Sequence, residues 1–283
     1  MEAQDRAGPP AAAGDAAAGP GAPARRPRVA AFFDLDKTII ARSSAYAFGR
    51  PFMESGMLTT GGVVQMALAQ AMYLSTGHDA DQLESARDQL AAMVTGWRAA
   101  DVRRIAGESL HRVISPYVYA EAVDLIRHHR SLGHDVVVIS ASAREIVEPI
   151  VAAIGVIDPA DVIATDLEVV DGVYTGGVTF FCRGANKSEA LRGLAARRGY
   201  ALDRCWSYSD SATDEPMLAA VGHPVAVNPD RALRRIAADR GWPVRVFRNP
   251  VPLFGGRRRA GAAGVVAAAA LLAGSVALLR RRG

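Results

Sequence analysis

Two carboxylates stand two residues apart in Phe33-Asp34-Leu35-Asp36-Lys37-Thr38, where the apolar run Val29 to Phe33 gives out. That pairing suits phosphoryl transfer. The first carboxylate can attack phosphorus, while the second gives a proton to the leaving oxygen and takes one from water. Acidic pairs after apolar runs also serve as turn residues and helix caps, so the pair alone does not decide between these roles.

Three later segments carry residues of the same kind of use. In Asp135 to Ser142, DVVVISAS, a continuous apolar run ends on Ser140, as a buried parallel strand would. Ser142 and Glu145 then have the spacing of a capping box, which predicts a helix start there; a hydroxyl and free N–H groups at such a start cradle a phosphate or merely cap a helix. Lys187 lies in Asn186-Lys187-Ser188-Glu189, where Asn186 and Glu189 are spaced as cap and third residue. A cation early in a helix works against the macrodipole unless it faces something negative, although most lysines are solvated surface charges. In CWSYSDSATDEPML, Cys205 to Leu218, a short strand ends on Asp210 and Asp214 follows four residues later. Two carboxylates at a strand end suit Mg²⁺, which takes one or two of them plus waters and phosphate oxygens, and they equally well cap a strand and a helix without any metal.

Taken in order, these segments read DxDxT, Ser, Lys and DxxxD, each at a strand end or helix start. Order and context resemble the haloacid dehalogenase superfamily over residues 28 to 254, in particular its phosphoserine phosphatase-like branch, which inserts a helical cap between the first two motifs. The resemblance implies Asp34 as the nucleophile that becomes an aspartyl-phosphate and Asp36 as general acid and base. It implies Thr38, Ser140, the Ala141 N–H and Lys187 as the groups around the phosphoryl oxygens. It also implies a Mg²⁺ site from Asp34, the Asp36 backbone carbonyl and Asp210, with Asp214 supporting or ligating. The substrate is then a small phosphorylated metabolite.

This chain departs from that pattern in places. Ser209 stands where a glycine often precedes the first aspartate of the last motif, and Ala141-Ser142 where two glycines often follow the serine. Ser43 stands where phosphoserine phosphatases carry a glutamate for the substrate's amino group, which leaves Glu54 or another acid of the cap to substitute. Asp36-Lys37-Thr38 is also similar to the start of the ion-pump motif, but Ile39-Ile40 ends that likeness. A non-catalytic membrane-tethered scaffold, a phosphatase for a phosphorylated lipid and phosphotransfer to an acceptor other than water remain as alternatives.

The elements that must position these residues alternate. Strands are predicted at 29–34, 135–139, 162–166, 205–209 and 224–227, and helices at 117–131, 143–154 and 188–198. Such alternation predicts an α/β fold with a doubly wound parallel sheet whose active site lies at the carboxyl ends of the strands. Val169 to Tyr174 reads as a hairpin with a D-G turn added to that sheet. Residues 28–42 and 116–254 form the predicted catalytic core. Residues 43–115 break the alternation and predict an all-α cap, with Leu83, Leu90, Met93 and Trp97 in one stripe and Val102, Ile105, Leu110 and Val113 in another. Tyr46, Phe48, Phe52, Met53 and Met57 are candidates for a pocket at its entry, or for plain core packing.

At 283 residues and 50% hydrophobic, the chain can bury one sizeable core with an accessory unit. Its Ala-, Gly- and Pro-rich residues 1–27 predict a disordered tail without a signal peptide. The two cysteines, Cys182 and Cys205, lack metal-ligand spacing and fit a reducing cytosol. His128-His129 is expected on a helix surface. The formal charge of +4 misleads about partners: residues 257–283 hold six arginines and no acid, so the remainder sums to −2, which removes the case for nucleic acid. Between those arginines, residues 260–279 form a 20-residue uncharged run with nine alanines, four leucines and three valines. It predicts a C-terminal hydrophobic helix that anchors the chain in a membrane, with the catalytic part on the cytoplasmic side; lying on the membrane surface and a cytoplasmic location are the alternatives.

Overall fold

The computed structural model describes residues 27–59 and 91–253. The predicted tail, part of the predicted cap with Leu83 and Leu90, and the uncharged run 260–279 lie outside the described residues. Among the described residues no helix is long and apolar enough to cross a membrane.

Ala30–Phe33 forms β1, and all four of its residues are buried. A strand with no polar face can only sit inside a sheet covered on both sides. It does: the seven-stranded order is β5-β4-β3-β1-β6-β7-β8, with β3 Asp135–Ala143, β4 Val162–Val170, β5 Val173–Phe180, β6 Trp206–Ser209, β7 His223–Val227 and β8 Val244–Arg245. Every pairing is parallel except β4 with β5, whose Asp171-Gly172 turn has positive φ at both residues, as the D-G spacing predicted. A separate two-residue ladder joins β2, Val118–Tyr119, to β9, Pro250–Val251.

The alternation along β1 sorts the two layers. Ala31 and Phe33 face a core shared with α1 Ser44–Glu54, α2 Ala99–Val113, α3 Ala120–Ser131 and α4 Arg144–Ile154. Ala30 and Phe32 face a core containing Leu191 and Leu194 of α5, Ala185–Arg198, and Met217 of α6, Glu215–Leu218. Beyond it, Ala226 of β7 packs with Leu233 and Ala237 of α7, Arg231–Arg240. Chain connections leave β1 towards β3 on one side and reach β6 on the other, so the crevice of this open sheet falls at the carboxyl end of β1.

Several boundaries differ from expectation for local reasons. β3 continues to Ala143, because Ala141 and Ser142 bulge out of register with β4 between the pairs Ser140–Ala164 and Ala143–Thr165. Helix α4 therefore starts at Arg144 without a side-chain cap, and the Ser142–Glu145 capping box does not form. Helix α5 starts at Ala185 behind Gly184, whose φ of 55° makes the turn, so Asn186 is helical and not a cap. Its side chain instead donates to the Phe181 carbonyl at 2.9 Å. Residues 117–119 leave the predicted helix: Tyr117 ends a 3-10 turn, and Val118 and Tyr119 close the β2–β9 ladder.

Candidate active site

Asp34 is the first residue beyond β1, and its N–H still donates to the Tyr208 carbonyl of β6 at 2.9 Å. The sheet thus fixes its backbone. Lys37, three residues on, takes a left-handed φ of 59°, and the N–H groups of Ile39 and Ile40 both return to the Leu35 carbonyl. This tight turn folds Asp36 and Thr38 back over the strand end. Thr38 is fully buried, and its hydroxyl has no hydrogen-bond partner among the described residues.

The ammonium of Lys187, buried in the first turn of α5, donates to Asp34 Oδ1 at 2.6 Å and to Asp214 Oδ2 at 2.7 Å. Lysine in a helix's first turn is thereby explained: it faces two anions. Burial opposes its charge, but Asp214 and Asp34 outweigh that and hold it well above the ordinary lysine range. Ser209 adds a second donor, its hydroxyl reaching Asp214 Oδ2 at 2.7 Å. Where a glycine was the expected residue, this serine braces the second carboxylate. The opposite oxygen, Asp214 Oδ1, is buried without a partner among the described residues.

Asp210 is buried at the end of β6. Its loop is held by Asp230, whose N–H donates to the Asp210 carbonyl at 2.8 Å while its carboxylate accepts from Ala212 N at 3.0 Å and caps α7 at Leu233 N, 2.7 Å. Burial pushes the Asp210 carboxyl up to about 7, against the pull of Lys37 and with the push of Asp214. Asp34 is also raised, chiefly by burial; Lys187 pulls it down while Asp214, Asp210 and Asp36 push it up.

Asp36 is gripped from the other side. Ser44 N–H, at the start of α1, donates to its Oδ1 at 2.9 Å, and the hydroxyls of Ser44, Ser43 and Ser142 reach Oδ2 at 3.2, 3.4 and 3.4 Å. Burial raises the Asp36 carboxyl, and the Ser44 and Ser142 donors together with Lys187 moderate the rise. Ser140 is buried at the bulge and accepts from Ser142 N at 3.2 Å. Thr165 pins the same peptide by donating to the Ala141 carbonyl at 2.7 Å.

Sequence reasoning missed Ser44, Ser142 and Thr165 as members of the site. Ser142 was expected at a helix start and not as a partner of Asp36, and hydroxyls this common leave no motif. Other expectations are corrected. Glu54 is engaged at the surface by Arg50 at 2.8 Å and Arg112 at 2.9 Å, so it does not stand in for an acid at Ser43. Of the five candidates for the entry pocket, Tyr46 and Phe52 line a cavity beside Asp36, whereas Phe48 is core, Met53 is exposed and Met57 packs against the core. His129 is buried rather than on the surface. Cys182 and Cys205 are free and buried.

A divalent cation fits these residues. Asp34, Asp210, Asp214 and the half-buried Asp36 crowd a single buried ammonium, Asp214 Oδ1 has no partner among the described residues, and burial raises Asp34 and Asp210. Among the described residues no three His, Cys, Asp or Glu side chains form a ready cage for a metal ion.

Residues 31–219 match the family described as haloacid dehalogenase-like hydrolase. A Mycobacterium tuberculosis protein named a probable phosphatase is 52% identical over 234 residues, covering 83% of this chain and 80% of that protein. A phosphoserine phosphatase of the same species is 35% identical over 221 residues, 77% of this chain and 71% of that one. Among solved structures, a protein of unknown function from Bordetella pertussis Tohama I superposes with a TM-score of 0.67 at 29% identity, over 81% of this chain and all of that one.

Proposed function

The chain belongs to the haloacid dehalogenase-like hydrolases, and from that premise we propose that it is a Mg²⁺-dependent phosphatase that cleaves a small phosphomonoester through an aspartyl-phosphate on Asp34. The observation that carries this reading is the pair of carboxylates bridged by Lys187, with Asp36 two residues from the nucleophile and independently fixed.

Lys187 occupies Oδ1 of Asp34, which leaves Oδ2 to attack phosphorus. As the new P–O bond forms, the ester P–O bond breaks and Asp36 gives its proton to the leaving oxygen. A water then attacks the same phosphorus, gives a proton to Asp36 and displaces the Asp34 carboxylate, releasing inorganic phosphate. An acid whose pKa is raised by burial suits the donor half of that cycle, and its Ser44 and Ser142 donors suit the ionised half. Ser140 accepts from Ser142 N, so its own hydrogen is available to a phosphoryl oxygen, beside Thr38 and the Ala141 N–H. The metal would be held by Asp34, the Asp36 carbonyl and Asp210, with Asp214 supporting, and would neutralise charge on the phosphoryl oxygens. The arginine-bracketed run 260–279 carries, on sequence alone, the further proposal of a membrane tether.

The test is phosphate release by the full chain with and without Mg²⁺ over a panel of phosphomonoesters, beside Asp34→Asn. Release that needs the metal, disappears in the variant and proceeds through a species reducible by borohydride is the expected result. Metal-independent release, or an equally active Asp34→Asn, would overturn it.

A further inference from the structure

Beside Asp36 the protein encloses a cavity of about 260 Å³. Its wall is built largely from Phe52, Met93, Trp97, Leu167 and Phe181. Phe52 and Trp97 pack ring against ring at 5.4 Å, so this part of the wall is a fixed aromatic surface. Among the described residues Asp36 is the sole carboxylate on the lining, and it is already held by four serine contacts. The nearest acid of α1, Glu54, is turned outward into its arginine pairs. At the mouth, Ala45 and Tyr46 lie on the exposed face of α1.

Geometry links this space to the reaction. If Asp36 protonates the leaving oxygen, whatever that oxygen carries must lie on the Asp36 side of phosphorus, which is where the cavity opens. Arg183 is the other charged residue among the described lining residues, so a substrate carboxylate would have one possible partner there and an ammonium no carboxylate but Asp36, whereas hydrocarbon would gain from burial. We therefore propose, resting on the phosphatase reading above, that the substrate is the phosphomonoester of an apolar alcohol, with a hydrocarbon portion seated on Phe52 and Trp97, and that phosphoserine is a poor substrate.

Binding separates this inference from the reading beneath it. With the full chain and Mg²⁺, affinities are measured calorimetrically for methyl-, butyl-, hexyl- and octylphosphonate, which cannot be hydrolysed, and kcat/KM for the matching alkyl phosphates and phosphoserine. Affinity is expected to rise about four-fold per methylene until the cavity fills. Phosphoserine should fall at least as low as methyl phosphate in kcat/KM. Ala45→Trp, at an exposed helical position, should lower affinity for octylphosphonate about ten-fold or more and leave methylphosphonate within about two-fold. Chain-length dependence without hydrolysis of any ester would support apolar recognition and sink the phosphatase reading. Hydrolysis with affinity indifferent to chain length, or fastest on phosphoserine, would leave a phosphatase and overturn this inference. Failure of every phosphonate to bind, or an Ala45→Trp chain whose far-ultraviolet spectrum is native and whose octylphosphonate affinity is unchanged, would also overturn it.

Discussion

Two buried polar networks share strand β6 and differ in how they settle their charge. Near its carboxyl end, Ser209, Asp214, Lys187 and Asp34 form a chain of short contacts in which acids outnumber the cation and one carboxylate oxygen is left over. One residue earlier, Tyr208 turns to the opposite layer. Its ring stacks on Phe33 at 4.4 Å and its hydroxyl meets His129 Nε2 at 2.8 Å; His129 Nδ1 meets His134 Nδ1 at 3.0 Å, and His134 stacks on Trp206. There burial, with the neighbouring His134 and His128, pushes His129 down to about 4, so the network is neutral and each ring nitrogen of His129 has a partner. A neutral, satisfied network is a structural solution. The charged network differs in that one buried carboxylate oxygen, Asp214 Oδ1, has no partner among the described residues.

Substitutions can break that contrast. Asp36→Asn removes the proposed proton donor while leaving Asp34 and Lys187 in place. Turnover of alkyl phosphates should drop by about 10²–10⁴. Esters with acidic phenol leaving groups should suffer far less, and rates compared across leaving groups check this. Lys187→Met removes the only buried cation of the charged network. Turnover should fall by about 10²–10³, and denaturant unfolding should show a loss of about 3–5 kcal/mol, because two buried carboxylates lose their partner. If Lys187→Met were as stable and active as the parent, the bridging geometry would have no function. Ser209→Ala removes one donor to Asp214 and should cost about 1–2 kcal/mol in stability, with a turnover loss of about ten-fold, read from unfolding and steady-state rates together.

His129→Gln tests the other half. It keeps an amide able to meet Tyr208 but cannot titrate, so turnover should stay within about two-fold. The sign for stability follows from the depressed folded value. Stability is present above the ordinary histidine range near 6.5 and is lost as pH falls towards about 4, because the unfolded chain takes up the proton first. The parent should therefore lose at most about 3 kcal/mol across that window through this residue, and His129→Gln should lose correspondingly less in unfolding measured from pH 7 to pH 4.5. Equal acid limbs in both proteins would remove His129 from the contrast.

Chemistry was more legible in the sequence than its surroundings. Asp34, Asp36, Ser140, Lys187, Asp210 and Asp214 could be picked out because each follows a short apolar run or opens a helix, and the period of a buried strand is visible in residues such as Ala30 to Phe33. The alternation of strands and helices then placed all of them at one edge of a sheet. Serines were invisible for the opposite reason. Ser44 and Ser142 are 98 residues apart, yet their hydroxyls lie 2.7 Å from each other over Asp36. No local pattern encodes such a pairing.

The sequence by itself determined the strand periodicity, the D-G hairpin and the order of the charged residues, since these depend on contacts between near neighbours and on the burial preferences of single side chains. Tertiary structure alone decided that β3 bulges after Ser140, that Lys187 bridges Asp34 to Asp214, that His129 is buried and neutral, and that Glu54 faces the surface. The physical reason is desolvation. Whether a carboxylate, an ammonium or an imidazole is charged, paired or silent depends on which distant residues exclude water from it, and that is fixed when the layers close.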